Sequence, residues 1–267
     1  MLDFELKDCY DINDLVAIMR LLRAPGGCPW DAEQTHQSIK KNLIEETYEV
    51  IEAVNKDDKV LLCEELGDLL MQVVFHSVME EEADVFDFDD VADGVCKKLI
   101  ERHPHIFGEV EVSGVDDVLT NWDAIKKKTK GQKTTTDSMS SVPRELPALM
   151  RATKLQKKAA DVGFDWDDVS GALDKLEEEI AELRSAIEKK DKPNMDEELD
   201  DILFSAVNVS RFIKTDAEEA LTAASDKFLN RFSLVEELAA ERGIDMKSSS
   251  LEVLDSLWDE AKVIKSK

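Results

Sequence analysis

Apolar residues recur at helical spacing along most of the chain. Leu43, Tyr48, Val50, Ile51 and Val54 form one stripe, and Leu66, Leu69, Leu70, Val73 and Val74 form the next. Repetition at i, i+3, i+4 and i+7 predicts amphipathic helices, while the alternating β-branched runs that mark strands are scarce. With only 6 prolines and 10 glycines to interrupt it, the pattern predicts an all-α protein. In the second half the spacing predicts helices over about residues 170–188 and 195–214, joined by the turn KKDKPN. Asn194 is placed to cap the second of these, with Glu197 three residues on to complete a box-like cap. So short a link makes the two helices an antiparallel hairpin. The first half repeats the arrangement, with NKDDK at residues 55–59 as its turn.

The two hairpins also carry the same acids. Glu45, Glu46 and Glu49 followed by Glu65 and Asp68 return as Glu178, Glu179 and Glu182 followed by Glu198 and Asp201. Around them Met19-Arg20 matches Met150-Arg151, Trp30-Asp31 matches Trp166-Asp167, Lys98 and Arg102 match Lys227 and Arg231, and Trp122 with Lys126 matches Trp258 with Lys262. A solenoid repeat would be far shorter, so the duplication predicts two tandem copies of one helical-bundle domain. A chain of 267 residues suits two such domains. The Lys-, Thr- and Ser-rich run KKKTKGQKTTTDSMSS at residues 126–141 reads as an exposed connection. We therefore expect an N-terminal domain over 1–130, a linker over 131–145 and a C-terminal domain over 146–267.

Composition narrows the function. A net charge of −26 opposes binding to a nucleic-acid polymer, whose phosphates would be repelled in the absence of a basic stripe. No apolar run approaches the roughly 18 residues that span a bilayer, so no membrane association is expected. The acidic N-terminus lacks the basic start and apolar stretch of a secretory signal, and Cys9, Cys28, Cys63 and Cys96 form no CxxC pair. These features predict a cytoplasmic protein with reduced thiols. An acidic protein can still take an anionic ligand when divalent cations lie between the two.

Residues three apart share a helix face, so Glu179 points with Glu182 and Glu198 with Asp201. The hairpin lets the two pairs converge. Each unit-charge pair near 4 Å would then cost about 4 kcal/mol at an effective dielectric of 20, so the cluster calls for compensating cations. Hard oxygen donors on rigid helices select Mg²⁺, with Mn²⁺ as a substitute, and leave coordination positions open for phosphate and water. Glu-rich faces are ordinarily solvated surfaces, but both copies keep one spacing, beside the core-type residues Leu66, Leu69, Ile180, Leu199 and Ile202. Glu46, Glu49, Glu65 and Asp68 offer the second such set. Lys175 lies one turn before Glu179, and Lys227 and Arg231 form another i,i+4 pair suited to phosphate. Trp258 could stack on a base or ribose while Lys262, one turn on, meets phosphate; alternatively Trp258 closes the bundle core.

Several motifs in order resemble one family: GCPWD at Gly27–Asp31, EETYEV at Glu45–Val50, ELGDLL at Glu65–Leu70, RHPH at Arg102–His105, LPALMRA at Leu146–Ala152 and VGFDW at Val162–Trp166. Together they resemble tandem-domain MazG nucleoside triphosphate pyrophosphohydrolases, over nearly the whole chain. The resemblance implies an all-α NTP pyrophosphatase fold shared with dimeric dUTPases, an intertwined homodimer, and Mg²⁺-dependent hydrolysis of NTPs or dNTPs, ATP among them, to the monophosphate and pyrophosphate. Nucleotide-pool cleansing or a stress response is the setting such an activity fits. Carried over, the metal ligands are Glu179, Glu182, Glu198 and Asp201, with Glu178 as an additional acid, and metal-activated water attacks the α-phosphoryl group. The nucleotide contacts match Lys175, Lys227, Arg231, Trp258 and Lys262.

The copies also differ. Lys175 aligns with Asn42 and Asn208 with Phe75, so the first half lacks one phosphate cation and one polar substrate-binding residue. We expect the C-terminal domain to be catalytic and the N-terminal one to be weak, serving assembly or regulation, with room for a regulatory protein partner. Gly67 becomes Asp200, which must either face solvent or change the local packing. Two rivals stand beside this reading. A di-iron bundle needs paired Glu-x-x-His motifs, and only Glu33 to His36 has that spacing. An acidic helical scaffold that binds a protein partner would use the carboxylates for metal-stabilised structure alone.

Overall fold

A computed structural model describes residues 4–115, 117–118, 120–122, 125 and 132–264. Every regular element among them is a helix, and none is long and apolar enough to cross a membrane. The chain divides into two units, Met1–Lys126 and Lys127–Lys267.

In the first unit the helices are α1 (Ile12–Arg23), α2 (Pro29–Glu33), α3 (Lys40–Asn55), α4 (Lys59–Glu82), α5 (Phe88–Arg102) and α6 (Pro104–Phe107). Asp11 starts α1 through a reciprocal box with Asp14, and Asp58 caps α4 immediately after the turn. The α3–α4 hairpin packs beneath α1. Val16 and Met19 of α1 meet Val74, Phe75, Val78 and Met79 of α4, with Ile39 completing the core. Fully burying a side chain such as Ile39 contributes about 1.5–3 kcal/mol.

The second unit comprises α7 (Thr135–Ser140), α8 (Ala148–Ala160), α9 (Val169–Lys189), α10 (Lys192–Phe212), α11 (Ala217–Glu241) and α12 (Leu251–Ile264). Its central element is the α9–α10 hairpin, against which α8 packs. The link is shorter than the sequence suggests. Lys190 closes α9 in the left-handed region at φ 56°, and Asp191 caps α10. The cap expected at Asn194 is therefore corrected to Asp191, because Pro193 is at home in a first helical turn. The backbone N–H of Asn194 donates to the Asp191 side chain. In the first hairpin the turn matches NKDDK, with Asp57 left-handed at φ 53°.

Within the segment expected as an exposed connection, Thr134 and Asp137 form a capping box for α7, and Ser138 and Val142 are buried. Lys158 of α8 donates to Ser138 at 2.5 Å. Residues 126–131, Lys126 included, lie outside the described part.

Both hairpins leave apolar side chains exposed. Tyr48, Ile51, Val54, Leu66 and Leu70 do so on α3 and α4, and Leu173, Ile180, Ile187, Leu199 and Leu203 on α9 and α10.

Candidate active site

The α9–α10 hairpin brings three of the predicted ligands together. Oxygen atoms of Glu179, Glu182 and Glu198 lie within 4.8 Å of one another. Glu179 is 3% exposed and Glu198 9%, while Glu182 is open to solvent. Asp201, one turn beyond Glu198, stands outside that group, is exposed, and lines the adjoining cavity. In the first unit Glu46, Glu49 and Glu65 make the corresponding group, also within 4.8 Å, with Asp68 beside it.

Lys175 separates the two clusters electrostatically. Its Nζ donates to Glu179 at 2.6 Å and to Glu178 at 3.1 Å. Glu178 thus faces this lysine on the exposed side of α9. The hydrogen bond from Lys175 holds the Glu179 carboxyl below its usual range against the opposing effect of burial, and the same contacts push Lys175 far up. Burial, then the charges of Glu182 and Glu179, raise Glu198. In the first unit, with Asn42 at the matching position, burial and a hydrogen bond with Glu49 raise Glu46. Glu65 is raised by burial and by Glu49.

A cavity of about 670 Å³ opens beside the second cluster. Lys175, Glu179, Asp201 and Asn208 stand in its wall with the aromatic rings of Phe164, Trp166 and Phe204. Gly171 allows Trp166 its place, since a Cβ there would meet the indole Cδ1 at 2.3 Å. Gln156 of α8, also in the wall, donates to the backbone oxygen of Phe204 at 2.8 Å. Arg211 pairs with Asp165 and with Asn208. Sequence reasoning assigned no role to Gln156, Asp165, Trp166 or Arg211. Asp165 and Trp166 fell inside VGFDW, and Arg211 follows Asn208 by three residues, which was the one local signal available.

The remaining predicted nucleotide residues are grouped elsewhere. Lys227, Arg231, Trp258 and Lys262 lie on α11 and α12 and are not among the described residues lining the cavity. Trp258 packs on the core of Val235, Ala239, Leu257 and Ala261, with Phe228 at 5.3 Å and the Arg231 guanidinium 5.9 Å from its ring. It therefore closes the bundle while presenting one face to a cation. Lys227 is exposed, and Lys262 pairs with Asp259 at 2.7 Å. Asp200 is exposed, and a Cβ at Gly67 would meet open space, so that difference leaves the hairpin unaltered.

The donor set suits a hard divalent cation. Three carboxylates converge, two of them buried, and among the described residues Lys175 is the cation paired with Glu179. Comparison with known proteins identifies similar nucleotide pyrophosphohydrolases. The MazG nucleotide pyrophosphohydrolase domain model matches twice, over residues 34–107 and 168–235. The chain is 43% identical to a nucleoside triphosphate pyrophosphohydrolase of Escherichia coli K12, covering 94% of this chain and 97% of that one. It is also 43% identical to a nucleoside triphosphate pyrophosphohydrolase/pyrophosphatase MazG of Thermotoga maritima, covering 94% and 95%. With YabN of Bacillus subtilis it shares 48% identity over 95% of this chain and 52% of that protein.

Proposed function

The chain belongs to the MazG nucleotide pyrophosphohydrolase family, and from that premise we propose that its second unit hydrolyses nucleoside triphosphates to monophosphate and pyrophosphate with Mg²⁺. One observation carries this reading: the cluster of Glu179, Glu182 and Glu198 opens onto a cavity that also holds Lys175, Asp201 and three aromatic rings. That combination offers acids for a cation, a positive charge for phosphate, and an apolar enclosure for a nucleoside.

Glu179, Glu182, Glu198 and Asp201 would hold the metal, which would supply neutralisation of phosphate charge and acidification of water. Lys175, which stands in the cavity wall beside Glu179, offers its ammonium to the phosphates. One acid of the set, Glu178 included, takes the proton of the water that attacks the α-phosphoryl group, and pyrophosphate leaves. Because little covalent work falls to the protein in such a transfer, positioning and charge dominate. The family resemblance also assigns nucleotide contacts to Lys227, Arg231, Trp258 and Lys262, which stand on α11 and α12 outside the described cavity lining.

Residues 146–267 form the catalytic domain, 131–145 the connection, and 1–130 a weak or regulatory domain whose Glu46, Glu49, Glu65 and Asp68 bind metal without Lys175 or Asn208. The exposed apolar faces of both hairpins support a homodimer, since such patches mark interaction surfaces. The four unpaired cysteines fit a reducing cytoplasm, where the activity would serve nucleotide-pool cleansing or a stress response. Incubating the protein with Mg²⁺ and a panel of triphosphates should release pyrophosphate and monophosphate, and EDTA should abolish release. Phosphate as the first product would contradict cleavage at the α-phosphoryl group, and no release at all would favour an acidic scaffold.

A further inference from the structure

Asp165 lies just before α9, and Arg211 near the end of α10. Arg211 grips Asp165 with two hydrogen bonds, Nη1 to Oδ2 at 2.8 Å and Nη2 to Oδ1 at 2.5 Å. The same guanidinium donates to Asn208 Oδ1 from Nη2 at 2.7 Å and from Nε at 3.1 Å. All three residues stand in the cavity wall. Arginine carries donors only, so the oxygen of the Asn208 amide must face it. The amide NH₂ is then the polar group that this residue, only 9% exposed, offers to the cavity.

Position decides what that NH₂ meets. Asn208 follows Asp201 by two turns of α10, about 10.5 Å along the axis. If phosphates gather at Glu179 and Asp201, Asn208 lies toward the opposite end of the nucleotide, on the helix that also contributes Phe204. We propose that Asp165 and Arg211 are positioning residues that fix the Asn208 amide as a hydrogen-bond donor to the nucleobase. This assignment rests on the cavity being the nucleoside triphosphate site. Every natural base carries a carbonyl oxygen or ring nitrogen that can accept such a bond, so the contact favours a base over none without choosing among bases. The first unit lacks the device as a whole. In the register that pairs Asp201 with Asp68, Asn208 and Arg211 become Phe75 and Val78, both buried in the core.

The test uses the full-length protein and two substrates, ATP and ribose 5-triphosphate, with kcat/KM measured for each on the same preparation. Their ratio does not depend on the fraction of protein correctly folded. Asn208→Ala and Arg211→Met should each lower the ATP preference about tenfold, the loss expected for one hydrogen bond to a buried amide. The change should fall on the KM for ATP, Asp165→Asn should shift the ratio the same way, and the Asn208→Ala/Arg211→Met double variant should fall no further than either single one. Loss of preference in Asn208→Ala but not in Arg211→Met would overturn the positioning role. An unchanged ratio in both would overturn the contact with the base. Failure of the wild type to release pyrophosphate from either substrate would overturn the reading of the site, and this inference with it.

Discussion

A single side chain separates the two acid clusters. The hydrogen bond from Lys175 holds Glu179 below the usual carboxyl range, whereas Glu46, with Asn42 at the position of that lysine, is raised by burial and then by its hydrogen bond with Glu49. The charge balance in the second unit therefore lies closer to what a bound cation and phosphate need. At the same scale, the Arg211 guanidinium holds Asp165 below its ordinary value of 3.8. A folded-state pKa below the unfolded one contributes stability that is complete above the unfolded value and is lost as pH falls through the folded value. Wild type should thus melt above Asp165→Asn at about pH 6, with the gap closing as pH drops below 3.8. A gap independent of pH would show that the carboxylate charge is not what matters there. None of this pairing was visible in the sequence, because Asp165 and Arg211 meet across 46 positions and no periodic pattern links a loop to the end of a distant helix.

At the level of elements, both hairpins were legible, since their apolar stripes repeat at helical spacing and their turns are polar. The acids were legible for a different reason: duplication kept Glu-x-x-Glu and Glu-x-x-Asp at one spacing while surrounding residues changed. Cap choice was not, because Asp191 and Asn194 are both good caps and only the path of the chain around Pro193 decides between them. The amphipathic pattern also could not say which body covers Ile187 or Val54, both exposed here. Gly171 shows how one element positions another. Alanine normally favours a helix over glycine by about 1 kcal/mol, yet its Cβ would strike the Trp166 ring. Gly171→Ala should leave the fold intact by circular dichroism and raise the KM for nucleoside triphosphates several-fold. An unchanged KM would mean that the indole wall does not contact substrate.

At the scale of the whole molecule, two copies of one acid set stand in different surroundings. Sedimentation should give the mass of a dimer, and Val54→Glu combined with Ile187→Glu, one charge on each exposed apolar face, should shift it toward monomer; a wild-type monomer would contradict the assembly proposed. Both units keep their acids, but Lys175, Asn208 and Arg211 of the second give way to Asn42, Phe75 and Val78 in the first, and an aromatic cavity adjoins the second unit's acids. The most direct measurement of that inequality is Mg²⁺-dependent pyrophosphate release by the full-length chain carrying Glu198→Gln or Glu65→Gln. Removing a carboxylate that supports charge at the reacting phosphate should cost about 100-fold or more in Glu198→Gln, and Glu65→Gln should remain near the wild-type rate. Equal losses in the two variants, or full activity in Glu198→Gln, would contradict the assignment of catalysis to the second unit.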